Sequence, residues 1–177
     1  MGETIGKFVE RREEVTSEQY PILQEIAAAA VACERETGCP AEITTAQCIL
    51  ESGWLKHAPG NNCFGIKDTD RFPGAQYVLT REFVDGRPQT EKLAFEVYPS
   101  LQACFCDHAR LITGGFDPNR PNCYAGAWRQ YQQGRELDRF IAAVAAHYAT
   151  DPAYAQRVGE LARGPNVARA IAEARAA

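Results

Sequence analysis

The chain has 177 residues, 45% of them apolar and 24% charged. These are ordinary values for one folded domain, and they exclude a disordered, collagenous or low-complexity chain. Lys plus Arg (19) against Asp plus Glu (23) leaves a net charge of -4, so no basic footprint marks a nucleic acid or an anionic membrane surface as a partner. No apolar run reaches the roughly 18 residues of a membrane span.

The first 16 residues mix Glu3, Glu10, Glu13 and Glu14 with Lys7, Arg11 and Arg12. They read as a charged leader without the basic-then-apolar order of a secretory signal. A helix is expected from Glu18 to Thr37, with Ser17 as its cap, Ile22, Ile26 and Ala30 on one face, and Gly38 as its stop. A second runs from about Pro40 to Ser52, carrying Ile43, Ala46, Gln47 and Leu50 on one stripe and ending at Gly53. Residues 58–74 are rich in Gly, Pro, Asn and Asp and read as an ordered loop holding the aromatics Phe64 and Phe72. Alternating β-branched and aromatic residues over 76–84 and 90–98, around Asp85-Gly86-Arg87-Pro88, predict a β-hairpin. The remainder is helical: 100–112, 124–132, 137–148, a helix capped by Asp151 with Pro152 in its first position and ending at Ala162, and a last helix over 167–176. Many short helices with one hairpin imply an α+β, mostly helical, lysozyme-like fold. Residues 17–163 form the domain, with 1–16 as leader and 164–177 as a helical Ala/Arg tail outside it.

Seven cysteines, an odd number, leave at least one unpaired. Cys48 and Cys104 sit among apolar neighbours, so buried free thiols are expected. Cys104 and His108 are four apart on a helix, yet no second pair has ligand-like spacing and CxxC is absent, so neither a metal nor another cofactor is expected.

Glu51 follows an apolar stripe in the last turn of its helix. The negative end of the helix dipole and partial desolvation would both favour the protonated form that a general acid needs. Glycosidic chemistry calls for a second carboxylate on another element, and Glu82 on the hairpin is the leading candidate. Asp68 and Asp70 read as loop solvation, and Glu96 as one half of a surface pair with Lys92. Trp54 suits either a sugar-stacking surface or the core. Tyr124, Trp128 and Tyr131 recur at helical spacing, which favours the core but leaves room for one member to floor a groove.

Ala46-Gln47-Cys48-Ile49-Leu50-Glu51-Ser52-Gly53-Trp54, then Ala58-Pro59-Gly60-Asn61-Asn62-Cys63-Phe64-Gly65-Ile66-Lys67, resembles the bacterial and phage glucosaminidases of glycoside hydrolase family 73. That family includes flagellar-rod-type and autolysin-type peptidoglycan hydrolases. The likeness continues through Thr80-Arg81-Glu82-Phe83, Phe95-Glu96-Val97-Tyr98-Pro99-Ser100 and Tyr148-Ala149-Thr150-Asp151-Pro152-Ala153-Tyr154-Ala155.

The resemblance implies Glu51 as general acid, Glu82 as second carboxylate and Tyr148 as a supporting residue. Tyr148 also continues the helical stripe of Leu137, Phe140, Ile141 and Val144, so a core position is equally consistent. Trp54, Asn61, Asn62, Phe64, Tyr124 and Trp128 are candidate substrate contacts, and the two asparagines could instead hold the loop. The implied activity is endo-β-N-acetylglucosaminidase cleavage of peptidoglycan glycan strands by a monomer. A muramidase, a lytic transglycosylase or a non-catalytic glycan-binding module are the alternatives. A phage endolysin or an enzyme exported by another route would reconcile a wall substrate with the missing signal.

Overall fold

The computed structural model describes residues 15–68, 73–84, 87–114 and 122–177, with backbone alone at 80–84, 87–89 and 91 in the hairpin. Helix α1 (Gln19–Thr37) buries Leu23, Ile26, Ala27, Ala30, Val31 and Cys33. Its alanine-rich face receives α2 (Ala41–Ser52), α3 (Leu101–Thr113) and α7 (Pro165–Ala176). The cap expected of Ser17 falls to Thr16, whose Oγ1 accepts from the Gln19 N–H at 3.2 Å. Gly38 stops the helix in the left-handed conformation (φ 75°) that glycine adopts without steric cost.

The sequence pattern suggests a one-sided stripe on α2, and the structure departs from it. Ala41, Ile43, Thr44, Thr45, Ala46, Gln47, Cys48 and Ile49 are all buried, because α1, α6 (Tyr154–Ala162) and α7 surround the helix. Leu50 is half-buried, and only at Glu51 does α2 emerge to solvent. The partial desolvation expected of Glu51 is therefore not met. Its helix is buried nearly all round, but its own position is exposed.

Strands β1 (Ala75–Val84) and β2 (Arg87–Glu96) form the expected antiparallel hairpin, with Ala75 opposite Glu96 and Val84 opposite Arg87. The turn residues Asp85 and Gly86 lie outside the described residues, as do Asp70 and Phe72. The hairpin is joined to the body at its root. Lys67 bridges to Phe95, the Asp68 N–H donates to Ala94 O at 3.0 Å, and the Glu96 N–H donates to Ile66 O at 3.0 Å. Glu96, expected at the surface with Lys92, is fully buried at that root.

Ser100 caps α3, its side chain accepting from the Ala103 N–H at 3.2 Å. Helices α4 (Ala125–Gly134) and α5 (Leu137–Tyr148) pack on each other, and α5 also packs on α6. Asp151 Oδ1 accepts from the Ala153 N–H at 2.9 Å, just before α6 begins. The C-terminal segment, read from its Ala/Arg composition as a tail outside the domain, is a core helix. Val167, Ala170 and Ile171 are buried with Ala174 packed beside them, a helical stripe that the composition hides. Arg175 reaches both Glu34 and Glu42, at 2.8 and 3.0 Å.

Candidate active site

Just after Glu51 the chain turns back sharply. Gly53, Trp54 and Leu55 have φ of 57°, 64° and 62°, and two of these left-handed residues carry side chains, a conformation that costs on the order of 1 kcal/mol or more each. Ser52 holds the reversal: its Oγ donates to Cys48 O at 2.6 Å and accepts from the Leu55 N–H at 2.9 Å. This lifts Glu51 to the edge of a groove of about 690 Å³, walled on one side by residues 55–59 and 62–65 and on the other by Gln76, Val78 and Phe95 of the hairpin.

Glu51 is fixed from behind. The Tyr154 hydroxyl, at the start of α6, donates to Glu51 Oε1 at 2.6 Å and accepts from Gln47 Nε2 at 3.2 Å. Burial first, and the neighbouring Glu51 carboxylate second, push the Tyr154 phenol above its ordinary value, so it stays a donor. Gln47 lies one turn before Glu51 and is itself buried. Sequence reasoning did not single out Tyr154 or Gln47. The available signal was the position of Tyr154 within the late motif, six residues beyond Tyr148.

Tyr148 stacks on Tyr154, with ring centroids 5.6 Å apart and planes 14° apart. Burial, then the charge of Glu51, hold its phenol well above its usual range. Its ring meets the edge of His108 at 5.7 Å, and His108 stacks on Phe64 at 3.8 Å. An aromatic chain thus runs Phe64, His108, Tyr148, Tyr154 and ends on the Glu51 carboxylate. His108 is fully buried with neither ring nitrogen hydrogen-bonded, and desolvation pushes its pKa down to about 3, so the ring is neutral. Phe64 is at once a core residue and part of the groove wall.

The second carboxylate is located by backbone alone. Glu82 lies in β1 opposite Gln89, at a position with the same strand parity as Gln76 and Val78, and its side chain lies outside the described ones. Asn61 and Asn62 hold the loop. Asn61 Nδ2 donates to Tyr98 O at 2.9 Å; Asn62 Nδ2 donates to Ile66 O and Glu96 O at 2.9 and 3.1 Å, and its Oδ1 accepts from the Ile66 N–H at 3.0 Å. Asn62 also lines the groove, while Asn61 does not.

Three further candidates do not line the groove. Trp54 is half-buried against the core. Tyr124 is buried, its ring edge-on to His147 at 6.1 Å. Trp128 is half-buried, stacking on Tyr131 at 5.6 Å and tilting against Phe140 at 5.7 Å. Cys33, Cys39, Cys48, Cys63, Cys104 and Cys106 are buried and Cys123 is exposed, none in a disulfide. Among the described residues no three His, Cys, Asp or Glu side chains converge as metal ligands.

The arrangement places an exposed, oriented carboxylate at the edge of an open groove with an apolar and polar lining, a geometry suited to proton transfer on a bound chain. The profile of the glucosaminidase family, described as "Mannosyl-glycoprotein endo-beta-N-acetylglucosaminidase", matches residues 27–166. A "Probable N-acetylmuramidase" of Lactococcus lactis subsp. cremoris is 33% identical over 159 residues, 87% of this chain and 35% of that protein. The "Peptidoglycan hydrolase FlgJ" of Pseudomonas aeruginosa is 34% identical over 145 residues, 77% of this chain and 34% of that protein. This chain therefore spans about a third of the length of these two curated relatives. The catalytic domain of the autolysin Auto from Listeria monocytogenes superposes with a TM-score of 0.74 at 25% identity, over 89% of each chain.

Proposed function

The chain belongs to the glucosaminidase family, glycoside hydrolase family 73, and from that membership we propose that it is a peptidoglycan hydrolase, an endo-β-N-acetylglucosaminidase that cleaves the β-1,4 bond following N-acetylglucosamine. The observation that carries this reading is Glu51, held by the Tyr154 hydroxyl at 2.6 Å and presented at the edge of an open groove. A glycan strand lies along the groove between the hairpin and the loop that contains Asn62 and Phe64. Glu51 protonates the leaving glycosidic oxygen. Glu82 then acts in one of two ways: it steadies attack by the sugar's own 2-acetamido oxygen, or it activates water on the opposite face. The reaction needs no cofactor, and a single copy of the chain carries it out. Among the described residues no helix is long and apolar enough to cross a membrane.

A second reading is favoured by the L. lactis relative's name, N-acetylmuramidase: cleavage after N-acetylmuramic acid in the same groove. Mass spectrometry of purified peptidoglycan digested by wild type, Glu51→Gln and Glu82→Gln separates the two. Reducing N-acetylglucosamine ends that vanish in Glu51→Gln support the first reading. Reducing or anhydro muramic ends move the assignment to the second. Glycan binding without cleavage by wild type on several wall types refutes both and leaves a binding module.

A further inference from the structure

Cleavage after N-acetylglucosamine makes the muramic residue the leaving group, and the oxygen that Glu51 protonates is then that sugar's O4. The lactyl ether of the same sugar stands on O3, one ring carbon away, so whatever the ether bears is brought up beside Glu51. In a strand stripped of peptides the ether ends in a carboxylate. In an intact strand it carries a stem peptide with carboxylates of its own. The groove places a cation at this position. The reversal after Glu51, with its left-handed backbone at Trp54 and Leu55, sets Leu55, Lys56 and His57 into the groove wall. Its backbone is tied: the Lys56 N–H donates to Gly53 O at 3.4 Å, and the His57 N–H donates to Ser52 O at 2.8 Å. The His57 ring lies over Gly53, where an added Cβ would meet Cδ2 at 3.3 Å. Lys56 is exposed, and among the described residues it is the one Lys or Arg in the groove lining. Arg110, Arg157, Arg163 and Arg175 are each engaged by a carboxylate, whereas Lys56 enters no ion pair among the described residues, Glu51 included. The chain as a whole carries a charge of -4 and repels an anionic strand, so the unpaired ammonium stands where local attraction is needed.

We propose that Lys56 is a specificity-determining contact that binds a carboxylate borne on the O3 substituent of the leaving muramic residue, an inference that rests on the bond assignment made under the proposed function. The ammonium donates to the carboxylate oxygens in a charge-assisted hydrogen bond. The carboxylate keeps its charge throughout the proton transfer, so the contact stabilises bound substrate and transition state alike. It therefore lowers KM and leaves kcat nearly unmoved.

The test uses the full chain and soluble glycan strands in two pairs. One pair is amidase-stripped strands, with free lactyl carboxylates, and the same strands with those carboxylates converted to methylamides. The other is strands with intact stems and their methylamides. Wild type should prefer the charged member of at least one pair by about 3–10-fold in kcat/KM, expressed in KM and shrinking as salt rises. A preference in the first pair assigns the lactyl carboxylate, and one confined to the second assigns the stem. Lys56→Met should bring the ratio close to one, Lys56→Arg should keep it, and Lys56→Glu should invert it, each with a wild-type melting temperature. A wild-type ratio near one in both pairs, or a ratio that Lys56→Met leaves standing, overturns the proposal and makes Lys56 a solvated surface lysine. Reducing-end analysis of the same digests keeps the two claims apart. Muramic ends overturn the bond assignment and this proposal with it, whereas N-acetylglucosamine ends with a ratio near one overturn this proposal alone. Because the wild-type ratio decides without any variant, a variant that fails to fold does not protect the proposal.

Discussion

Replacing Tyr154 with Phe deletes one oxygen and leaves the ring stacked on Tyr148. Two hydrogen bonds are lost: the 2.6 Å donation to Glu51 Oε1 and the 3.2 Å acceptance from Gln47 Nε2. A hydrogen bond to a charged group contributes about 1.5–3 kcal/mol, and the exposure of Glu51 argues for the lower half of that range. At about 1.4 kcal/mol per tenfold, kcat on purified peptidoglycan should fall roughly 10–30-fold. KM should change less than threefold, because Tyr154 is behind the carboxylate and does not line the groove. The second loss strands a buried amide. Gln47 Oε1 is already without a hydrogen-bond partner and its Nε2 would join it, costing about 1–2 kcal/mol in urea unfolding. The assay is initial-rate release of reducing ends, run beside urea denaturation of the same preparation. A variant that loses stability but keeps wild-type kcat would refute the claim that this hydroxyl orients Glu51.

Two further outcomes follow from buried polar groups. His108 stays neutral when folded, with a pKa near 3, whereas an unfolded histidine titrates near 6.5. Between those values the unfolded chain binds a proton that the folded chain refuses. Its contribution to stability is thus intact above about pH 6.5 and declines as pH falls, by about 2 kcal/mol at pH 5. Urea midpoints at pH 7.5 and 5.0 should show that loss in wild type and a drop smaller by about that amount in His108→Phe; equal drops would show that the ring takes up a proton in the folded state. Asn62→Ala removes three hydrogen bonds at the hairpin root and should cost about 2–4 kcal/mol in chemical denaturation. A cost below 0.5 kcal/mol would mean that the loop is held by its backbone alone.

Much of this fold was legible because local rules decide it. The helix Leu137–Tyr148 falls where apolar spacing puts it, and Gly53 ends α2 as a left-handed C-cap. The hairpin follows from alternation around Asp85-Gly86. Legibility stopped where one periodic face has two uses. The spacing of Tyr124, Trp128 and Tyr131 announces a buried stripe without saying which neighbour buries it, and Phe140, from the next helix, turned out to be part of the answer. The apolar stripe of α7 was masked by alanines and arginines whose exposed members dominate the composition. The link between Glu51 and Tyr154 spans 103 residues, and no local pattern encodes a contact made when α6 packs on α2. His108 was weighed in the sequence as a metal ligand. Its place between Phe64 and Tyr148 instead makes it an aromatic in all but name.

The helix that delivers Glu51 has almost no face of its own toward water. A segment walled by three others has no low-energy opening short of unfolding the whole domain, so its amides should exchange only through that event. In the wild-type chain the carboxylate at its tip should therefore keep its place until that event. For this chain, residual activity during heating or denaturation doubles as a count of folded molecules, and inactivation and unfolding curves should superimpose.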